Sequence, residues 1–179
     1  LSRLSSLYNI FREVEINCEK ITVKVSNLCT SFVQAFWGTL TNEGLKVIEI
    51  VGDTSNVTTF IACFRNRKNL ESILGEIDFS SVTKASDVTS MWINTHIVKE
   101  IYPKAGTIKV SFSCSMSTII DESAKSILLA LVDYSGTENE GANKVTLNGT
   151  VWTRLDAEGN TAPGGMTWKD YVTTIGWEY

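Results

Sequence analysis

Short runs of alternating apolar and polar residues recur along this chain, and most are followed by a segment whose apolar residues stand three and four apart. The alternating runs cover residues 21–25, 47–51, 73–77, 108–112 and 144–147. A period of two places Ile48 and Ile50 on one face of a strand and Val47, Glu49 and Val51 on the other, so one face is buried and the other wet. The intervening segments change period. Val57, Phe60, Ile61 and Phe64 fall at i, i+3, i+4 and i+7, which predicts one apolar stripe of a helix. Asp53-Thr54-Ser55-Asn56 stands just ahead of that stripe, with side-chain oxygens suited to capping the helix start. Ser86 or Asp87 takes that place before Val88, Met91 and Trp92, and Asp121 or Ser123 before Ile127, Leu128, Leu131 and Val132. At the N-terminus Leu4, Leu7, Tyr8 and Phe11 predict one further amphipathic helix.

The units repeat. Ser31-Phe32-Val33-Gln34-Ala35-Phe36 matches Thr59-Phe60-Ile61-Ala62-Cys63-Phe64 at a spacing of 28, and Val57-Thr58-Thr59-Phe60 matches Val88-Thr89-Ser90-Met91 at a spacing of 31. Such periods mark a solenoid, in which each unit buries its face only by stacking on its neighbours. Strands joined by helices rather than by tight hairpins run parallel. The expectation is an α/β solenoid of about five strands in one parallel sheet, with short helices on the other side. Residues 1–20 form an N-terminal helix or cap, 21–135 the repeats and 136–179 a C-terminal cap, all in one domain.

The run Asp53-Thr54-Ser55-Asn56-Val57-Thr58-Thr59-Phe60-Ile61-Ala62-Cys63-Phe64, followed by Asn69-Leu70-Glu71-Ser72-Ile73, resembles the BspA-like leucine-rich repeat of bacterial surface proteins. Asp78-Phe79-Ser80-Ser81-Val82 and, after an insertion, Asp87-Val88-Thr89-Ser90-Met91-Trp92 carry the likeness a second time. Two departures stand out: Cys63 precedes Phe64 where the family's Cys follows, and Phe or Ile replaces some of its Met. The helix pattern from Ile119 to Asp133, the run Lys144-Val145-Thr146-Leu147-Asn148-Gly149, Trp168 and Gly176-Trp177 resemble the end cap of leucine-rich-repeat proteins in phage and prophage tail modules. The resemblance implies a leucine-rich-repeat-like fold, an extracellular, cell-surface or virion location, and adhesion or recognition without catalysis.

Composition narrows the chemistry. Sixteen Lys and Arg against twenty Asp and Glu leave a net charge of −4, which disfavours nucleic acid and anionic membrane surfaces as partners. No apolar run reaches the ~18 residues of a membrane span. A start at Leu1 without a basic or apolar leader shows no targeting segment and suggests a fragment or mature region. Ser and Thr number 18 and 20, Pro two and His one. Cys18, Cys29, Cys63 and Cys114 form no C-x-x-C pair and are read as reduced structural thiols, with no zinc site. His96 is the one imidazole, and it lacks a G-x-S-x-G elbow or a catalytic-Cys signature to work with. It is read as a residue favoured at a helix C-terminus. Asn56 is read as a cap, Asn148 as a turn residue, and residues 159–165 as an exposed loop.

Two binding surfaces are expected. One is the wet sheet face bearing Thr22, Lys24, Glu49 and Lys109. The other is the aromatic C-terminal end with Trp168, Tyr171 and Trp177, which either contacts a partner or glycan or plugs the open end of the stack, the plug being preferred. The functional expectation is a noncatalytic adhesion module for a protein or glycan ligand on a host or cell surface, with no cofactor. Alternatives are an assembly domain of a tail or fibre, in which case the chain forms homo-oligomers, and a hydrolase using His96.

Overall fold

A computed structural model describes residues 5–40, 44–157 and 159–179. Four strands, β1 (Lys20–Val25), β2 (Val47–Gly52), β3 (Ser72–Ile77) and β4 (Glu100–Pro103), form one parallel sheet in chain order. Three more, β5 (Phe112–Cys114), β6 (Asn143–Leu147) and β7 (Trp177–Glu178), form a second parallel sheet. Among the described residues three α-helices lie beyond β5: α1 (Asp121–Leu129), α2 (Gly149–Leu155) and α3 (Trp168–Thr174). The fold is α/β, with parallel strands stacked as in a β-solenoid. The expected single sheet is therefore two, and β4 was not anticipated. Of the run 108–112, only Phe112 enters a strand, while Ile108 makes an isolated bridge to Leu131.

The stripe predicted as helix is something else. After each of the first three strands, and once before β1, the chain runs through consecutive tight turns rather than an α-helix, the last of these segments opening with a short 3-10 helix at Ala85–Val88. These turn segments lie near residues 7–13, 32–38, 60–66 and 87–94. In the third, Cys63 N–H donates to the Phe60 carbonyl at 3.0 Å and Arg65 N–H to the Ala62 carbonyl at 3.3 Å. Ala62 sits at φ 52°, and the equivalent Gln34 and Ser90 at 54° and 59°. Alternate N–H groups leave the segment: those of Phe60, Ala62, Phe64 and Asn66 donate to the carbonyls of Asp87, Thr89, Met91 and Ile93 at 2.7–3.2 Å. The first two segments do the same, Leu7, Asn9, Phe11 and Glu13 bonding to the second and Phe32, Gln34, Phe36 and Gly38 to the third. Four such bonds contribute about 2–6 kcal/mol at the usual net value of each. One left-handed residue in the second segment and two in each of the others cost roughly 1–4 kcal/mol per segment, so the hydrogen bonds alone do not decide in favour of this path.

Aromatic burial adds what is missing. Phe11, Phe36, Phe64 and Trp92 stack along the solenoid with ring centroids 5.7, 5.7 and 5.3 Å apart and planes within 17°. Phe32, Phe60, Phe79 and Phe112 form a second, edge-on or tilted ladder at 4.7–5.5 Å. Each pair contributes about 0.5–1.5 kcal/mol beyond the area it removes from water. Phe64 therefore aligns with Trp92, at a spacing of 28 rather than the 31 suggested by the sequence match. In the N-terminal stripe, Leu7 is buried and Phe11 packs on the core as part of a turn segment, while Leu4 lies outside the described residues.

One buried charge ties the segments together. Arg67, 1% exposed, donates from Nε to the Phe36 carbonyl at 2.7 Å and from its terminal nitrogens to the Val14 and Phe11 carbonyls at 3.2 and 3.0 Å. The planar fork of a guanidinium reaches several main-chain acceptors at once, as an ammonium cannot. The sheet side requires glycine at one irregularity: Gly75 has φ 94°, beside a register shift in β3, and a Cβ there would lie 1.9 Å from the Ile50 carbonyl oxygen.

The two sides of the stack end differently. On the sheet side α1 stands where a fifth strand would lie. Ile120 N–H donates to the Lys99 carbonyl, Ser123 Oγ bonds both the N–H and the carbonyl of Ile101, and Ser126 Oγ reaches the Pro103 carbonyl. On the turn side nothing among the described residues continues the ladder beyond residues 87–94.

Candidate functional site

A groove of about 660 Å³ opens where the turn-side ladder stops. One wall is the last turn segment with Val88, Ser90, Trp92, Thr95 and His96, and the other is the strand-like run carrying Ser111, Ser113, Ser115 and Ser117. The second wall follows from its sequence. Phe112, Cys114 and Met116 turn into the core at 2%, 0% and 5% exposure, so period two sends the four serines the other way. Ser113 and Ser115 pair through their hydroxyls at 3.0 Å.

A difference in backbone path opens the groove. The last turn segment has left-handed residues at Ser90 and Asn94, both at φ 59°, whereas no residue from 111 to 117 has a positive φ. An extended run cannot follow a path of tight turns, so the two walls diverge instead of pairing. The main-chain N–H groups of Ser90, Trp92 and Asn94 are the counterparts of those that donate in the earlier segments, and they meet no acceptor among the described residues. The indole N–H of Trp92 is buried and also without a partner. Trp92 is the last ring of its ladder. Among the described residues, no Asp, Glu, Lys or Arg lines the groove.

The residues expected from sequence fall in separate places. Thr22 and Glu49 face each other in the β1–β2 register, the Thr22 hydroxyl donating to Glu49 at 2.7 Å with Lys20 Nζ 3.0 Å from the same oxygen. The Thr22 hydrogen bond and the Lys20 ammonium hold the Glu49 carboxyl below its ordinary range. Lys24 lies one pleat further along, opposite Val51. Lys109 is outside the strands, and its ammonium donates to the Ser80 carbonyl at 2.8 Å.

The aromatic end is packed inward. Trp168 and Trp177 are 3% and 2% exposed. The Trp177 indole donates to the Val132 carbonyl at 2.7 Å, and Tyr171 meets Trp168 edge-on while remaining partly exposed. His96 ends no helix: it is exposed on the groove wall, and its own carbonyl accepts from the Thr118 hydroxyl. Asn148 caps α2 by accepting from Thr150 N–H, whereas Asn56 caps no helix and donates across the stack to the Asn27 carbonyl. All four cysteines are free, Cys18 exposed and the other three buried.

The serine row and the role of Trp92 were not picked out from sequence. The signal was the unbroken alternation from Ser111 to Ser117, which is visible as a pattern but does not say what lies opposite. Among the described residues no group of three or more His, Cys, Asp and Glu is placed to hold a metal ion, and no helix is long and apolar enough to cross a membrane. No protein-family model, curated protein or solved structure matches the chain.

Proposed function

We propose that this chain is a noncatalytic recognition module whose ligand lies in the groove between the last turn segment and the serine row. The observation that carries this reading is the composition of the groove: an uncharged, hydroxyl-rich wall facing the terminal ring of an aromatic stack and a row of free main-chain donors. Binding pockets commonly combine an apolar floor with a few fixed polar groups, and this groove falls within their usual size of about 300–1,000 Å³. Stacking at 28-residue spacing lends support to the BspA-like leucine-rich-repeat reading of residues 53–70. With that reading comes its setting, adhesion to a protein or glycan from a bacterial cell surface or a phage tail.

The test is a paired glycan and peptide array, run with the wild-type chain and with Ser113→Arg, which places a long charged side chain in the groove from an exposed position. Binding that falls at least tenfold in the variant supports the groove. Binding that is unchanged moves the ligand elsewhere, with the Thr22–Glu49 face as the next place to look. Any hydrolytic activity abolished by His96→Ala overturns the noncatalytic reading.

A second reading has its own observation. Tyr8, Ile10, Val14 and Leu28 are all more than a third exposed, and all lie in or beside the first turn segment and β1. Such an apolar end fits an assembly domain packed on a neighbouring subunit. Light scattering distinguishes the two: a stable oligomer that dissociates in Tyr8→Lys supports assembly, and a monomer at high concentration excludes it.

A further inference from the structure

Granting the groove as the ligand site, we infer that its ligand is a polypeptide segment that lays a fifth turn segment against the fourth. The same main-chain row performs this task three times within the molecule. The N–H groups of residues 7–13 bind carbonyls of the second segment, those of 32–38 bind the third, and those of 60–66 bind the fourth. Ser90, Trp92 and Asn94 carry the row forward in the same conformation, with Ser90 and Asn94 in the left-handed region like Ala62 and Asn66 before them. A segment arriving here continues an interface that already exists, and addition of backbone to an open edge is an established mode of peptide recognition.

The chemistry of the segment follows from its neighbours. Phe36, Phe64 and Trp92 stack with planes within 12°, so the incoming chain presents an aromatic ring at the next level. Gln34, Ala62 and Ser90, each two residues before a ring of this stack, have positive φ, so the incoming chain turns through the same left-handed conformation two residues before its aromatic. Its flanking side chains are small and uncharged, because they face Ser111, Ser113, Ser115 and Ser117. A second copy of the whole solenoid does not fit. Stacking two copies would require β4 to pair with a strand, and that edge is taken by Ile120, Ser123 and Ser126.

The test uses the full chain, labelled for amide exchange, and a displayed library of random dodecapeptides. The library is selected on the wild type and counter-selected on Ser113→Arg and on Ser115→Arg, with circular dichroism and thermal melting confirming that both variants are folded. The inference expects peptides that bind the wild type at least tenfold better than either variant and share an aromatic residue. It also expects them to slow exchange at Ser90, Trp92 and Asn94 at least tenfold. It is overturned if no such peptides emerge, or if those three amides already exchange in the free protein as slowly as Gln34, Phe36 and Gly38. It is overturned as well if neutral oligosaccharides, and not peptides, protect them, an outcome that leaves the groove as a recognition site and removes only the polypeptide as its ligand.

Discussion

Ser123 Oγ accepts a hydrogen bond from the Ile101 N–H at 2.8 Å and donates one to the Ile101 carbonyl at 2.7 Å, so a side chain of α1 does for β4 what a neighbouring strand would do. Both residues are fully buried. Replacing the hydroxyl leaves one main-chain donor and one acceptor without partners in a site closed to water. Ser123→Ala is therefore expected to destabilise the fold by about 2–3 kcal/mol, read as a lower urea midpoint at unchanged m-value. A loss below about 0.5 kcal/mol would mean that water or a shift of α1 replaces the hydroxyl.

Arg67 makes a stronger claim of the same kind. Its guanidinium serves the carbonyls of Phe11, Val14 and Phe36 from inside the protein. Arg67→Met keeps the length and removes the donors, leaving three carbonyls without them, and is expected to cost about 3–5 kcal/mol. Arg67→Lys should recover only a minor part, because one ammonium cannot span acceptors in separate turn segments. Full recovery by Lys would show that charge, and not the fork, is what the site requires.

Stability should fall in acid through Asp78. Burial alone would raise its carboxyl, but hydrogen bonds from Ser80 and the Lys104 ammonium at 3.1 Å outweigh burial and hold it below its ordinary value. A carboxyl depressed in the folded state stabilises above its unfolded value of about 3.9, and that contribution is lost as pH falls through the folded value. Melting temperatures measured from pH 7 to pH 2 should drop more steeply below about pH 4 in the wild type than in Asp78→Asn. Parallel curves would assign the acid loss to other carboxyls.

The cysteines should separate into two classes. Burial pushes the Cys114 thiol up to about 12 and lifts those of Cys63 and Cys29, while Cys18 is exposed. Thiolate is the reactive form. Titration of the native chain with an aromatic disulfide reagent at pH 8 is expected to label Cys18 alone, and all four after unfolding. Rapid labelling of a second native thiol would show that the core around it opens.

How far the fold could be read in advance differs from element to element. β1, β2, β3 and β6 were legible because alternation is a local property of a strand. So was α1, whose Ile127 and Leu128 face the core in a helix of ordinary length. The segments with Phe32 and Phe36, and with Phe60 and Phe64, were not. Residues four apart share a face both in a helix and in two overlapping turns, and only the destination of the alternate N–H groups tells the two apart. Among the candidate residues, Thr22 and Glu49 do meet on a wet face. Trp168 and Trp177 look alike in sequence as recognition aromatics and as plugs, and their burial was decided by what packs around them.

By itself, the sequence determined a repeating chain with parallel strands, an acidic, hydroxyl-rich character and a terminal aromatic cluster, since composition and short-range periodicity depend on neighbours along the chain. Tertiary structure alone decided that the intervening segments turn rather than coil into helices, that Arg67 is buried, and that the turn-side ladder stops at Trp92 while α1 closes the sheet side. Each of these rests on hydrogen bonds and ring contacts between residues that are ~20–60 positions apart in the chain. Loop closure between such distant residues is set by the stacking of the whole solenoid, which no local window of sequence contains.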